Sequence, residues 1–240
     1  MLLRDSSSLG DRVKDAIIHM IMTEEFENNK LPSESKLAER FGVSVAVVRD
    51  ALLLLREECV VTKKHGSGNY FHRSALENAA RVDQFRGFMK LVEGQGYKAT
   101  DSVSPARIIK PDERMQRILK LGPEEDIVYC ERTIFADGNK AIHCSNYLPR
   151  RHFKRQPTEE DLKKSLFTVF EELFLKELAY GQLSFLPYLA KPEDEEKIGI
   201  REGCPVILME EVYYSLGDIP MAFSGNLFND DYITVSILTR

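Results

Sequence analysis

Lys63, Lys64 and His65 stand in a row just ahead of Gly66-Ser67-Gly68, and Arg49 precedes them in an otherwise aliphatic run, "VSVAVVRDALLLL". Cations at the tip of a glycine turn neutralise phosphates, which gives affinity without sequence information. An arginine on a helix can instead take a guanine edge or a phosphate. Further along, Arg132 offers a planar fork that fits a carboxylate or phosphate through two hydrogen bonds. Catalytic patterns do not appear. No G-x-G-x-x-G opens a helix after a strand, there is no G-x-S-x-G elbow, and the five histidines show no H-x-x-x-H spacing. We therefore expect no catalytic residue, no cofactor and no metal. The four cysteines are scattered without a C-x-x-C pair, which argues for reduced thiols rather than a disulfide framework or a zinc site.

These groups need a frame, and 240 residues suffice for two cored domains. No apolar run approaches the roughly 20 residues of a membrane span, and the N-terminus lacks the features of a signal peptide, so a cytoplasmic location is expected. The net charge of −5 resides wholly beyond Ser74: residues 1–74 hold 11 basic and 11 acidic side chains, the remainder 22 and 27. A balanced segment can still present a basic face.

Leu9, Val13, Ala16, Ile17, Met20 and Ile21 recur at helical spacing and predict a helix from Leu9 to about Glu27. Pro32 stops the chain, Ser33 caps a second helix near Glu34 to Phe41, Gly42 suits a left-handed C-cap, and Ser44 caps a third helix to about Glu58. Val60 to Lys64 and Asn69 to His72 flank the glycine turn as a hairpin. The order is that of a winged helix-turn-helix over residues 1–74; the competing reading is a plain helical hairpin. Val48, Leu52 and Leu55 should be core, with Val45, Ala46 and Arg49 on the outer face. The candidate DNA contacts are Ser33, Ser35, Ser44, Val45, Ala46, Arg49, Lys63, Lys64, His65, Gly66 and Gly68.

Residues 75–97 read as a connecting helix, and residues 98–240 contain a duplication. The segment from Pro105 lies over that from Pro187: Pro111 matches Pro192 and Gly122 matches Gly203 at an offset of 81, and Glu131, Gly138 and Ser145 match Glu210, Gly217 and Ser224 at 79. Each copy reads as strand, short helix and hairpin, with one helix, "TEEDLKKSLFTVFEELF", between them. The expected fold is α+β, an antiparallel-rich sheet with internal pseudo-two-fold symmetry; the alternative is two ordinary hairpins with similar turns. A pocket near the axis would be lined by matched pairs, Ser145 with Ser224 and Arg132 with Glu211. His143 and Phe228 join the candidate lining. A cross-strand ion pair is the alternative role for Arg132.

"LPSESKLAERFGVSVAVVRDALLLLREECVV…HGSGNYF" resembles the DNA-binding domain of the GntR family of bacterial repressors, over about sixty residues. "ERTIFADGNKAIHCSNYLP", "DLKKSLFTVFEE" and "GCPVILMEEVYYSLGDIPMAFS" are similar to the ligand-sensing (UTRA) domain of its HutC-type branch, which is related in fold to chorismate lyase. The resemblance implies that Ser165 stands at a phosphate-side position. It also exposes departures. Ser35 replaces the family's arginine after "LPSE", and Val45-Ala46 replace Arg-Thr after "GVS". Cys144, Ile134 and Ala222 stand where acidic, basic and Glu residues are common. Small apolar groups on a reading helix can meet thymine methyls, though Val45 could instead pack only against the wing.

The expectation is a cytoplasmic, homodimeric, ligand-responsive repressor. It would bind an inverted-repeat operator on double-stranded DNA and leave it when a small, anionic effector such as a sugar phosphate or organic acid binds. Residues around Ser74 to Ala80 would transmit the change. The rivals are a lyase-like enzyme domain fused to a DNA-binding head, and an adaptor with an acidic protein-binding face.

Overall fold

The computed structural model of the chain describes residues 8–77, 81–82 and 87–239. Contacts divide the chain into two units, Met1–Asp83 with Ser236–Arg240, and Gln84–Val235. The final residues thus group with the first unit, although the sequence assigns them to the second domain.

In the first unit, Ser8 and Asp11 form a capping box for α1 (Leu9–Thr23), which buries Val13, Ile17, Met20 and Ile21. Leu9 lies off this stripe and is exposed. The helix stops short of Glu27, and Asn28 and Asn29 turn the chain in the left-handed region, both at φ 53°. Ser33 caps α2 (Glu34–Phe41), Gly42 ends it at φ 65°, and Ser44 caps α3 (Val45–Glu57). Strands β1 (Val61–Lys64) and β2 (Gly68–Phe71) pair antiparallel, Val61 opposite Phe71. Ile17, Leu37, Val48, Leu55 and Phe71 meet in one core. The assembly is a winged helix-turn-helix.

The single connecting helix of the sequence reading is absent. Helix α4 (Arg73–Glu77) is followed, after residues outside the description, by Arg81 in an isolated β-bridge and Val82 outside any helix. Arg81 bridges Ser236, and α5 (Phe88–Gly94) begins after Gly87 at φ 74°. Strand-like pairing and a left-handed glycine both break helical continuity. Of the proposed transmitting segment, residues 78–80 lie outside the described residues.

The second unit runs β3 (Ala99–Val103), β4 (Arg107–Ile109), α6 (Glu113–Leu119), β5 (Ile127–Ala136), β6 (Asn139–Pro149), α7 (Glu159–Lys163), α8 (Leu166–Leu173), β7 (Leu178–Leu189), α9 (Pro192–Ile198), β8 (Pro205–Ser215) and β9 (Pro220–Phe228). Among the described residues the sheet has seven strands in the order β3-β5-β6-β9-β8-β7, with β4 beside β5, and every pairing is antiparallel. The duplication is visible as β4-α6-β5-β6 and β7-α9-β8-β9. The expected single helix between the copies is two: Thr158 caps α7, the chain turns at Lys164, and Ser165 caps α8. Leu162, Val169, Phe170 and Leu173 still reach one core, as their spacing requires.

The repeat corrects the sequence alignment by one residue. Ala136 and Asn139 flank a turn of Asp137 and Gly138, whereas Ser215 and Ile219 flank three residues. The bulges at Ile134/Phe135 and Tyr213/Tyr214 coincide under the offset of 79, but beyond the longer turn the offset becomes 80. Ser224 therefore matches Cys144, Ser145 matches Gly225, and Asn146 matches Asn226. A slip of one residue moves a side chain to the other face of a sheet.

Candidate functional site

The head presents its cations on local structure that the sequence dictates. The Ser33 hydroxyl accepts from Lys36 N at 3.3 Å and the Ser44 hydroxyl from Val47 N at 3.4 Å, so both serines are occupied as caps. Arg49 donates from Nε to Glu34 at 2.6 Å, and Lys63 donates to the other oxygen of the same carboxylate at 3.2 Å. Glu34 thus ties α2, α3 and β1 together, and the Arg49 hydrogen bond, the leading cause, holds its carboxyl below the usual range. Arg49 stays two-thirds exposed along its side chain. Ser35, Ala46, Lys64, His65 and Gly66 are exposed. Val45 is half-buried and packs on the head's core; it supports the helix as well as edging the surface. Gly66 (φ 72°) and Gly68 (φ 122°) hold a turn that L-residues rarely adopt.

In the second unit, residues paired directly across strands share a face. One row is Cys130, Asn146, Ser224 and Glu211; the next on that face is Arg132, Cys144, Asn226 and Met209. Phe228 follows on the same face, and α7 and α8 cover it through Leu162, Val169 and Phe170 against Val128, Leu148 and Tyr213. Ser145 and His143 belong to the other face, which lies under α6 and α9. The candidate residues therefore fall into two groups. Arg132, Ser224 and Phe228 come together on the α7–α8 face, with Ser165 capping α8, and His143 and Ser145 lie away from them.

Arg132 is engaged on the first face. It ion-pairs with Asp101 and also donates to the carbonyls of Leu162 at 2.9 Å and Lys163 at 3.2 Å, at the C-terminus of α7. The cross-strand ion pair left open by the sequence is what the structure contains. Ser224 is 2% exposed; its hydroxyl lies 3.0 Å from Asn146 Oδ1 and 2.9 Å from Asn226 Oδ1. Glu211, opposite Ser224, is pushed up to about 7 by burial, although the hydroxyl of Tyr213 donates to it at 2.6 Å. Burial also pushes the Cys144 thiol to about 12, so it stays neutral. Asn146, Asn226 and Asp101 were missed. The first two become visible once the repeat is placed in the correct register.

On the opposite face Tyr129 donates to Glu131 at 2.7 Å, Lys197 lies 3.5 Å from Glu131, and His143 Nδ1 lies 3.2 Å from the Thr133 hydroxyl. Burial lowers the His143 pKa and keeps the ring neutral. Among the described residues no cluster of His, Cys, Asp or Glu could hold a metal ion, and no helix is long and apolar enough to cross a membrane.

Known proteins converge on this arrangement. Residues 9–71 match the model for bacterial regulatory proteins of the gntR family, and residues 94–234 match the UTRA domain. The chain is 22% identical over 210 residues to the uncharacterized HTH-type transcriptional regulator YydK of Bacillus subtilis strain 168, covering 85% of each. It is 22% identical over 233 residues to the mannosyl-D-glycerate transport/metabolism system repressor MngR of Escherichia coli strain K12, covering 97% of this chain and 95% of that one. The HTH-type transcriptional repressor NagR of Bacillus subtilis strain 168 is 22% identical over 204 residues, 85% of this chain and 83% of its own. In fold, the crystal structure of YydK matches at a TM-score of 0.80 and 18% identity, over 97% of this chain and 100% of that one. These relatives are regulators rather than enzymes.

Proposed function

Because the chain belongs to the GntR family of bacterial regulatory proteins and carries a UTRA domain, we propose that this DNA-binding regulator is a cytoplasmic, homodimeric repressor released by a small polar metabolite. The observation that carries the DNA-binding reading is the Arg49–Glu34–Lys63 triad. One carboxylate holds two exposed cations, from the reading helix and from the wing, in a fixed relation. Arg49 supplies base or phosphate contact beside the exposed methyl of Ala46, and Lys63, Lys64 and His65 follow the backbone. The repressor names of MngR and NagR support the sign of the response.

Two heads per assembly suit an inverted-repeat operator, whose half-sites lie about 34 Å apart. A surface for a second copy is at hand: β7 is an edge strand with Phe185 and Leu189 exposed on one face, and Ile207 on β8 continues that apolar patch. Leu189→Asp should convert a dimer to monomers in light scattering, and a variant of unchanged mass would rule this surface out.

The effector is assigned to the α7–α8 face, where Ser224, Asn146 and Asn226 form a buried, mutually bonded polar cluster that it would have to open. An anionic effector must take Arg132 from Asp101, so its affinity includes the cost of that exchange. A thermal-shift series with sugar phosphates and organic acids tests it, since ligands of the native state raise the melting temperature. Asp101→Asn should strengthen binding of the anion. Should only uncharged or cationic compounds shift the transition, the anionic assignment is wrong. Selection of duplexes from a random pool tests the head; recovery of no enriched inverted repeat would refute the operator reading.

A further inference from the structure

The chain passes from one unit to the other twice, and the second passage, at Val235–Ser236, is short. In the second unit, Thr234 is clamped to Gln95 at the end of α5: its backbone N–H donates to Oε1 at 2.9 Å, and Nε2 donates to its carbonyl at 3.2 Å. In the first unit, the Ser236 carbonyl accepts from Val82 N at 3.2 Å. Only Val235 separates the two anchors, so the span between their Cα atoms is at most roughly 7 Å. A long flexible linker absorbs motion; here a single residue joins the two anchors.

Both ends are tied to functional elements. Beyond Ser236, Leu238 packs on the core of the head, and with Thr239 it walls a groove against Cys59, Val61 and Thr62 of the wing side. Arg81, beside Ser236, is buried and donates to the carbonyl of Glu58 at the end of α3. On the other side, α5 starts at Phe88, whose ring meets that of Phe228 edge-on at 5.6 Å. Phe228 lies on the α7–α8 face of the sheet.

We infer that Ser236–Thr239 form a coupling strap, a C-terminal segment seated in the head's wing-side groove through which the state of the α7–α8 face reaches the DNA-binding helix. In the second unit the path runs from Phe228 to Phe88 and along α5 to Gln95 and Thr234; in the first it runs from Ser236 to Val82 and Leu238, and the backbone of Val235 joins the two. The inference rests on the DNA-binding reading only for what the head grips. Coupling requires an element that both sites bias, and the strap is anchored to each.

The test uses the full chain, a short random-sequence DNA duplex at low salt, and peptide-resolved deuterium exchange. Linkage is reciprocal, so duplex on the head should change exchange in the peptides covering 88–97 and 226–235 of the unaltered protein. Gln95→Ala, which opens one anchor, should erase that response while duplex affinity by fluorescence anisotropy is unchanged and Val82 stays protected. Leu238→Asp should release the strap, speeding exchange at Val82 about tenfold, the contribution of a partly buried leucine, and should erase the response too. The strap is overturned if duplex binding leaves 88–97 unaltered, if Gln95→Ala keeps the full response, or if Val82 ignores Leu238→Asp. Failure of the unaltered chain to bind any duplex refutes the DNA reading instead, and the strap is then decided by Val82 alone.

Discussion

Arg49 and Arg132 hold the same functional group in opposite circumstances. Arg49 shares one carboxylate with Lys63 and leaves most of its surface in water, whereas Arg132 is 15% exposed, paired with Asp101 and bonded to the end of α7. An exposed ion pair contributes little to stability, because solvent screens it and side-chain entropy opposes it. A half-buried one that also serves backbone carbonyls is costlier to break, because several acceptors lose a charged donor at once. The head therefore spends its arginine on what it will meet, and the sheet spends its arginine on its own architecture.

That contrast can be broken most decisively at Arg132. Arg132→Ala should cost about 2–4 kcal/mol in urea unfolding, since it removes a charged donor from Asp101 and from the carbonyls that end α7; a loss like that of a surface residue would show the pair to be dispensable. Next in size is Glu211. Its carboxyl is raised in the folded state, so its favourable contribution is complete below the unfolded value near 4.5 and is lost as pH rises to about 7. Unfolding free energy should thus fall across that interval by roughly 3 kcal/mol at most. Glu211→Gln should flatten the slope, and a slope that persists would place the titration elsewhere.

On the head the order of effects reverses. Arg49→Ala should leave the melting temperature nearly unchanged but weaken binding to a selected duplex by about 1–3 kcal/mol. The smallest change belongs to Lys63→Ala, which should lower the slope of log affinity against log salt by about 1 with little change in sequence preference. Equal salt slopes for the two variants, or a large loss of stability in Arg49→Ala, would erase the distinction between them.

The same two regions differ in how far they could be read from the chain. Ser33, Gly42, Ser44 and the Gly66–Gly68 turn act on neighbours within a few residues, so the winged helix was legible almost to its ends. The sheet depends on register. A single extra residue in the turn after Ser215 displaced the second copy, which paired Ser145 with Ser224 although they point to opposite faces. The break between α7 and α8 was hidden because "DLKKSLF" suits a helix throughout; the cap at Ser165 decides otherwise. Pairing between Arg81 and Ser236 has no local signal, since the partners are far apart in sequence.

The duplicated frame carries a last consequence. A face built twice would offer a guest two equivalent poses. Here the equivalence is gone: Arg132 with Asp101 stands where the other half has Glu211, and Cys144 stands where it has Ser224. In these two rows Asn146 and Asn226 are the pair that remains identical. Under the proposed reading, a polar effector on this face would meet walls of unlike character and would lie one way round, so the divergence of the halves would confer directionality on a scaffold that began without it.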